Sequence, residues 1–349
     1  MTTQACSNGA EQSGRKRVVP HGEPRALVVT KMWPTPNDSF RNGFLKLQVD
    51  AVRRLGLECD VLVTQEQGSG PLGYLRTALA VRRLISSGGY DVVHAHYGLT
   101  GLSCLLQDRP LVVTLHGSDI NGAIDIQGRK TRKGRLEAAI SRAVARRADA
   151  VIAVSARMAA LVSPATTIVV PIGIDTELFR PIDRAQARRE LCLDESRHYI
   201  LFAANPDNPI KRHWLAERAM GILHESHPEA ELLTVFGEPF DRMPLWMNAA
   251  DALLITSAYE GGPMVHREAM ACNLPVVSVD VGDVALHLED VALSRVVADD
   301  PLALAGAIRE VIQSGSRSDG RRGVESTRTE ATAEAIRNIY RRLQEADLP

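Results

Sequence analysis

The chain has 349 residues, about two ordinary domains' worth, with 45% apolar residues to fill two cores, 24% charged and only 4% aromatic. Lys and Arg number 41 against 42 Asp and Glu, a formal charge of −1, which excludes a nucleic-acid binder held by gross positive charge. No apolar run approaches the ~18 residues needed to cross a bilayer, and scattered cysteines (Cys6, Cys59, Cys104, Cys192, Cys272) without C-x-x-C spacing read as reduced thiols of a cytoplasmic protein.

The charge is unevenly spread. Residues 1–180 carry 23 Lys/Arg against 15 Asp/Glu, a net of +8, and residues 181–349 carry 18 against 27, a net of −9. Two electrically different halves predict two domains. The polar opening, residues 1–24 with Arg15-Lys16-Arg17, reads as a disordered basic tail and not as a signal peptide.

From there, β-branched runs alternate with helical patterns. Strands are predicted at 26–30, 60–64, 91–95, 110–115, 150–154 and 168–171, with helices near 41–55, 73–87, 99–107, 133–147 and 155–162. The rhythm restarts with strands at 199–204, 231–236, 252–256, 275–279 and 294–298. Strands apolar throughout are buried on both faces, so each series predicts a parallel sheet covered by helices. A polar stretch at 172–198, with a short helix at 184–191, reads as the hinge, and a last amphipathic helix carries Ile336, Ile339, Tyr340 and Leu343. The expected division is 25–180, 181–325 and a helix in 326–349 that packs back toward the first domain. Two doubly wound domains face across a cleft, where strand ends and helix starts suit an anionic, nucleotide-like ligand.

A literal G-x-G-x-x-G at Gly68–Gly73 follows the second strand rather than the first and has Pro71 inside its turn. It is read as accidental, and no nicotinamide chemistry is expected. The informative segment is 249–283, AADALLITSAYEGGPMVHREAMACNLPVVSVDVGD. A strand runs into Gly261-Gly262, where backbone can approach a ligand closely, and Pro263 is placed at the first helical position. The amides of Met264 and Val265 then offer an anion site without a charged side chain. Glu260 and Glu268 flank this turn, and carboxylates there suit sugar or ribose hydroxyls. Either glutamate alone would read as a solvated surface charge; the coincidence of strand, glycines, proline and both acids favours a site.

Three histidines end strands on the N-terminal side: His94 and His96 in DVVHAHYG and His116 in VVTLHGSD. No carboxylate or cysteine stands at ligand spacing from the H-x-H pair, so it reads as cleft lining and not as a metal site. No D-x-D motif occurs, so no metal is expected to hold a diphosphate.

The segment at 249–283 resembles the E-x7-E region of the family 4 retaining glycosyltransferases, which have the GT-B fold. The wording EAMACNLPVVSVDVGDV is most similar to transferases of cell-surface polysaccharide assembly. DVVHAHYG, VVTLHGSD, ADAVIAVS, VPIGIDTELFRP and NPIKRHWLA match in order and spacing, so the resemblance runs from about residue 26 almost to the end. It implies an acceptor-binding N-terminal domain and a nucleotide-sugar-binding C-terminal one. It also implies that Glu260 contacts donor-sugar hydroxyls, Glu268 the ribose, Gly261–Val265 the diphosphate, and that Lys211 neutralises the leaving phosphate. His116 would line the reaction centre, with Gly43, His94 and His96 on the acceptor side. Where the family has an arginine before that lysine, this chain has Asn205, which can bond phosphate but not neutralise it; Arg212 or another cation is the candidate replacement.

The implied reaction moves a hexosyl group from a nucleotide-diphosphate sugar to an acceptor hydroxyl with retention, in cell-envelope polysaccharide or glycolipid assembly. Natural-product glycosylation and nucleotide-sugar 2-epimerisation stay open. Residues 128–149 hold eight Lys/Arg against Glu137 and Asp149. They read either as a solvated helix or as a surface for anionic lipid or a polyprenyl-diphosphate acceptor, which would put the protein peripherally at the inner face of the plasma membrane.

Overall fold

The computed structural model describes residues 22–34, 43–64, 70–122, 129–162 and 167–346. Residues 1–21 of the expected tail, and Gly68 and Ser69 of the G-x-G-x-x-G run, lie outside them.

The first body is a parallel sheet of β1 (Ala26–Thr30), β2 (Cys59–Val63), β3 (Val92–His96), β4 (Leu111–Leu115), β5 (Ala150–Ala153) and β6 (Thr167–Val169), ordered β2-β1-β3-β4-β5-β6. Its helices are α1 (Gly43–Arg54), α2 (Gly70–Gly88), α3 (Gly98–Ser103), α4 (Ser118–Asn121), α5 (Arg132–Ala145) and α6 (Ala156–Val162). Gly70 and Gly73 fall inside α2 and form no phosphate loop. Every residue of β1, β3, β4 and β5 is buried, as uniformly apolar strands require, whereas the edge strands β2 and β6 are partly exposed.

The second body begins with α7 (Arg184–Glu190) and contains β7 (His198–Phe202), α8 (His213–His224), β8 (Ala230–Thr234), α9 (Met243–Ala249), β9 (Ala252–Ile255), α10 (Val265–Ala271), β10 (Val276–Val279), α11 (Val284–Leu288), β11 (Arg295–Val297) and α12 (Pro301–Ser314). Its parallel sheet has the order β11-β10-β9-β7-β8. Local chemistry sets the boundaries of α12. The Asp300 side chain accepts from the Ala303 amide at 2.9 Å, Pro301 opens the helix, and Gly315 at φ 63° closes it. The helix α7, expected in the linker, is docked on this body. Arg188, 5% exposed, reaches Asp251 Oδ2 at 2.8 Å and the Ala249 carbonyl at 2.9 Å.

The final helix, α13 (Thr329–Ala346), crosses back to the first body. Its Ala333, Ile336, Ile339 and Tyr340 pack with Ala26, Val28, Val52 and Val92, closing the face of the sheet that α1 shares. The chain therefore passes between the bodies twice, and the two crossings are stitched together. The Ile174 amide donates to the Thr327 carbonyl at 2.8 Å, and the Thr329 amide to the Ile174 carbonyl at 3.0 Å. Arg321 adds a cross-brace, donating to the carbonyls of Thr176, Phe179 and Ala271 at 2.8 Å each.

Candidate active site

In the second sheet the strand order reverses between β7 and β9, and the loops leaving these two strands open a crevice at their carboxyl ends. Lys211 comes from the first loop and Glu260 from the second. The loops hold each other: the Thr256 hydroxyl donates to the Lys211 carbonyl at 2.7 Å, and the Ala258 amide to the Ile210 carbonyl at 2.8 Å. This brings Lys211 Nζ onto Glu260 Oε1 as an ion pair, with the two side chains 27% and 17% exposed. Positive and negative charge thus stand side by side, one suited to a phosphate and the other to hydroxyls.

Next to this pair lies a cavity of about 250 Å³ between the two bodies. Gly43 and Phe44 line it from the first body, and Ala203, Val235, Phe240, Met264, Val265 and Glu268 from the second. Glu268 is 8% exposed, and burial pushes its carboxyl up to about 7 against the opposing pull of Arg267. The helix α10 starts at Val265, with Met264 as its N-cap, so Pro263 stands before the helix and not at its first position. Pro263 packs against Gly282, where a Cβ would lie 2.7 Å from the proline Cδ. The amides of Met264 and Val265, at the helix start, have no carbonyl one turn back within the helix to bond, and both residues face the cavity.

Across the crevice, His116 follows β4. The buried Asp119 carboxylate gathers the amides of Gly117 at 2.8 Å, His116 at 3.2 Å and Gly98 at 3.2 Å, which fixes the loop after β4 against the start of α3. His116 Nε2 meets His96 Nδ1 at 3.1 Å, one ring nitrogen donating to the other. Burial pushes the His116 imidazole down to about 3, so it is neutral at physiological pH. Among the described residues, His116 Nδ1 and His96 Nε2 are buried without a hydrogen-bond partner.

The bodies touch here. A Cβ on Gly117 would lie 2.5 Å from Gly261 Cα, and one on Gly261 would lie 2.3 Å from the His116 carbonyl oxygen. Gly117 also has φ 119°, a conformation that L side chains rarely adopt. The Ser155 hydroxyl donates to the Gly261 carbonyl at 2.6 Å, and Asp283 accepts the Ala156 amide at 2.9 Å, capping α6 from the other body. Ser155 and Asp283 carried no role in the sequence reading. Their only signal was a small polar residue after a strand and an acid after a glycine.

Two expected placements change, those of His94 and Gly43. His94 does not line the cleft: it is 1% exposed, with Nδ1 on the Tyr340 hydroxyl at 2.6 Å and Nε2 on the Thr114 hydroxyl at 2.7 Å. The Arg212 guanidinium is held by Asp299 at 2.6 Å and by the Thr256 carbonyl at 2.6 Å. Asn205 turns its side-chain oxygen back onto the Asp207 amide at 3.0 Å, holding its own loop. Gly43 belongs to the cavity it shares with Glu268, and a Cβ on it would lie 4.0 Å from the Phe240 ring, so it faces the donor side. No group of three His, Cys, Asp or Glu side chains suited to a metal occurs among the described residues.

Residues 21–173 match the family described as Glycosyl transferase 4-like domain, and residues 197–314 the family described as Glycosyl transferases group 1. A relative named D-inositol 3-phosphate glycosyltransferase, from Acidothermus cellulolyticus, is 27% identical over 77% of this chain and 70% of its own. Sucrose-phosphate synthase from Thermosynechococcus elongatus superposes with a TM-score of 0.78 over 93% of this chain and all of that one, at 18% identity. Anabaena HepE, solved with UDP and glucose, does so with a TM-score of 0.63 over 92% and 99%, at 16% identity. Two facing parallel sheets with these domains define a glycosyltransferase of the GT-B architecture. The chain belongs to the family 4 type, which joins these two domains in one polypeptide.

Proposed function

We propose that the protein transfers a hexosyl group from a nucleotide-diphosphate sugar to an acceptor hydroxyl with retention of configuration and without a metal. The observation that carries this is the cavity between the bodies, which collects Glu268, the start of α10 and, beside it, the Lys211–Glu260 pair. Ribose hydroxyls would donate to Glu268, and the diphosphate would lie on the amides of Met264 and Val265. Lys211 would leave Glu260 for the phosphate as charge builds on the leaving group, freeing Glu260 for sugar hydroxyls. In this mechanism no protein carboxylate acts as nucleophile, and the acceptor attacks from the leaving-group face. The departing diphosphate takes the acceptor proton, and neutral His116 orients the sugar. Ser155 and Asp283 keep the bodies together and water out.

The acceptor is placed on the first body, as a sugar or lipid-linked hydroxyl of envelope assembly. The name of the Acidothermus relative adds a phosphorylated cyclitol as a second class. Incubation with a panel of UDP-, GDP- and ADP-sugars tests the reading. Nucleotide diphosphate should appear only with an acceptor, and product NMR should show the donor's anomeric configuration. Epimer formation from donor alone would replace the transferase reading with the epimerase one. The true donor at 100 times its Kd should also stabilise the fold by about 2.7 kcal/mol.

A further inference from the structure

The helix α2 presents an uncovered apolar row. Leu72, Leu75 and Leu79 are 64%, 53% and 61% exposed. At about 100° per residue these three positions fall within an arc of roughly 60°, so they form one stripe along the helix. The same geometry puts Arg82 just beyond one edge of the stripe, and Arg83 and Arg76 just beyond the other. All three arginines are exposed, and α2 contains no acid. A leucine row between two arginine rows is the pattern of a helix lying in a membrane interface, apolar face down, with guanidinium heads reaching out along their stems.

The neighbouring surface continues it. The helix α3 packs against both α2 and α5, and all three lie on the face of the sheet opposite α1 and α13. Leu102, Leu106 and Leu136 on that side are 39%, 67% and 62% exposed, whereas α1 and α13 expose no large hydrophobic residue. Arg132, Lys133 and Arg135 project from α5. The acids there are already matched, Glu137 with Lys133 at 3.8 Å and Asp108 with Arg109 at 3.9 Å.

We propose that this face docks on an anionic phospholipid bilayer, with Leu72, Leu75 and Leu79 inserted in the interface and Arg76, Arg82 and Arg83 on the headgroups. The charge complementarity selects that partner. A second copy of this chain would oppose arginine to arginine, and a neutral bilayer would leave the cations unmatched. The surface does not include the donor cavity, so the proposal stands or falls apart from the transferase reading.

The test is sedimentation of the full chain with vesicles of phosphatidylcholine alone or mixed with phosphatidylglycerol, at low and high salt. Binding should require phosphatidylglycerol and weaken with salt. Arg82→Gln/Arg83→Gln should weaken it about twenty-five-fold, at roughly fivefold per cation. Leu75→Ser/Leu79→Ser should weaken it at least about tenfold by removing inserted apolar area. Leu286→Ser, an exposed leucine of the second body, should change nothing. The substituted side chains are exposed, so unchanged thermal midpoints check that the variants fold. Equal binding to neutral vesicles, no binding at all, or wild-type binding by the leucine variant would overturn the proposal. So would leucine-dependent dimerisation in place of vesicle binding. Stabilisation by a nucleotide sugar, measured on the same variants, should be unaffected; its absence would refute the donor reading and leave the docking surface intact.

Discussion

Gly261→Ala places a single methyl group where the two bodies meet. The new Cβ would stand 2.3 Å from the His116 carbonyl oxygen and 2.6 Å from Gly117 Cα. Both neighbours are backbone, so no change of rotamer relieves the clash. Bringing the shorter contact to 3.0 Å requires the His116 strand end to retreat by the difference, 0.7 Å. A displacement approaching 1 Å between groups that must meet in the transition state costs roughly a hundredfold in turnover. The amides of Met264 and Val265 and the Glu268 carboxylate all lie in the second body and are untouched. Affinity for the nucleotide alone should therefore stay within about threefold, under 1 kcal/mol. The assay pairs kcat with calorimetric nucleotide binding, and solution scattering reports whether the bodies part. A variant with wild-type kcat and an unchanged scattering profile would refute the view that this glycine contact sets the spacing of the cleft.

Lys211→Ala and Glu260→Ala should each lower kcat by about a hundredfold or more, because each removes charge matched to the transition state. Steady-state kinetics with near-normal turnover in both would remove the pair from the site. Nucleotide affinity should rise with pH through about 7, since Glu268 must ionise to accept two ribose hydroxyls and burial holds it protonated below that point. In the unliganded protein the sign is the reverse: a carboxyl raised on folding stabilises the fold most at low pH, and that contribution is lost as pH climbs toward 7. Glu268→Gln should flatten the binding profile, which titration calorimetry across the range would show. His94→Ala should destabilise the first body by about 2–5 kcal/mol, leaving the Tyr340 and Thr114 hydroxyls buried without partners. Urea denaturation measures this, and nucleotide affinity should not move.

Much of the fold is written locally. Runs such as ALVVT and LVVTL are apolar but for one threonine each and buried at every position, as a strand covered on both faces requires, so each strand emerges close to its place. The Glu-Gly-Gly-Pro turn is likewise a local signal, because glycine pairs and flanking acids mark a close backbone approach wherever they occur. What local pattern cannot carry is the choice of partner. Arg212 looks available beside Lys211, yet Asp299, 87 positions on, claims its guanidinium. His94 and His96 are two residues apart on one strand, but His94 is taken by Tyr340, 246 positions later, and only His96 reaches His116.

The helix α13 carries a consequence for how the protein is made. Its Ile336, Ile339 and Tyr340 complete a core that includes Ala26, Val28 and Val92, translated more than 240 residues earlier. Domains commonly fold in order as they leave the ribosome, but here the first body emerges with one face of its sheet covered by α1 alone. It waits until the whole second body and the last helix have followed. A chain that stops short of α13 therefore carries a folded second body attached to an unsealed first one.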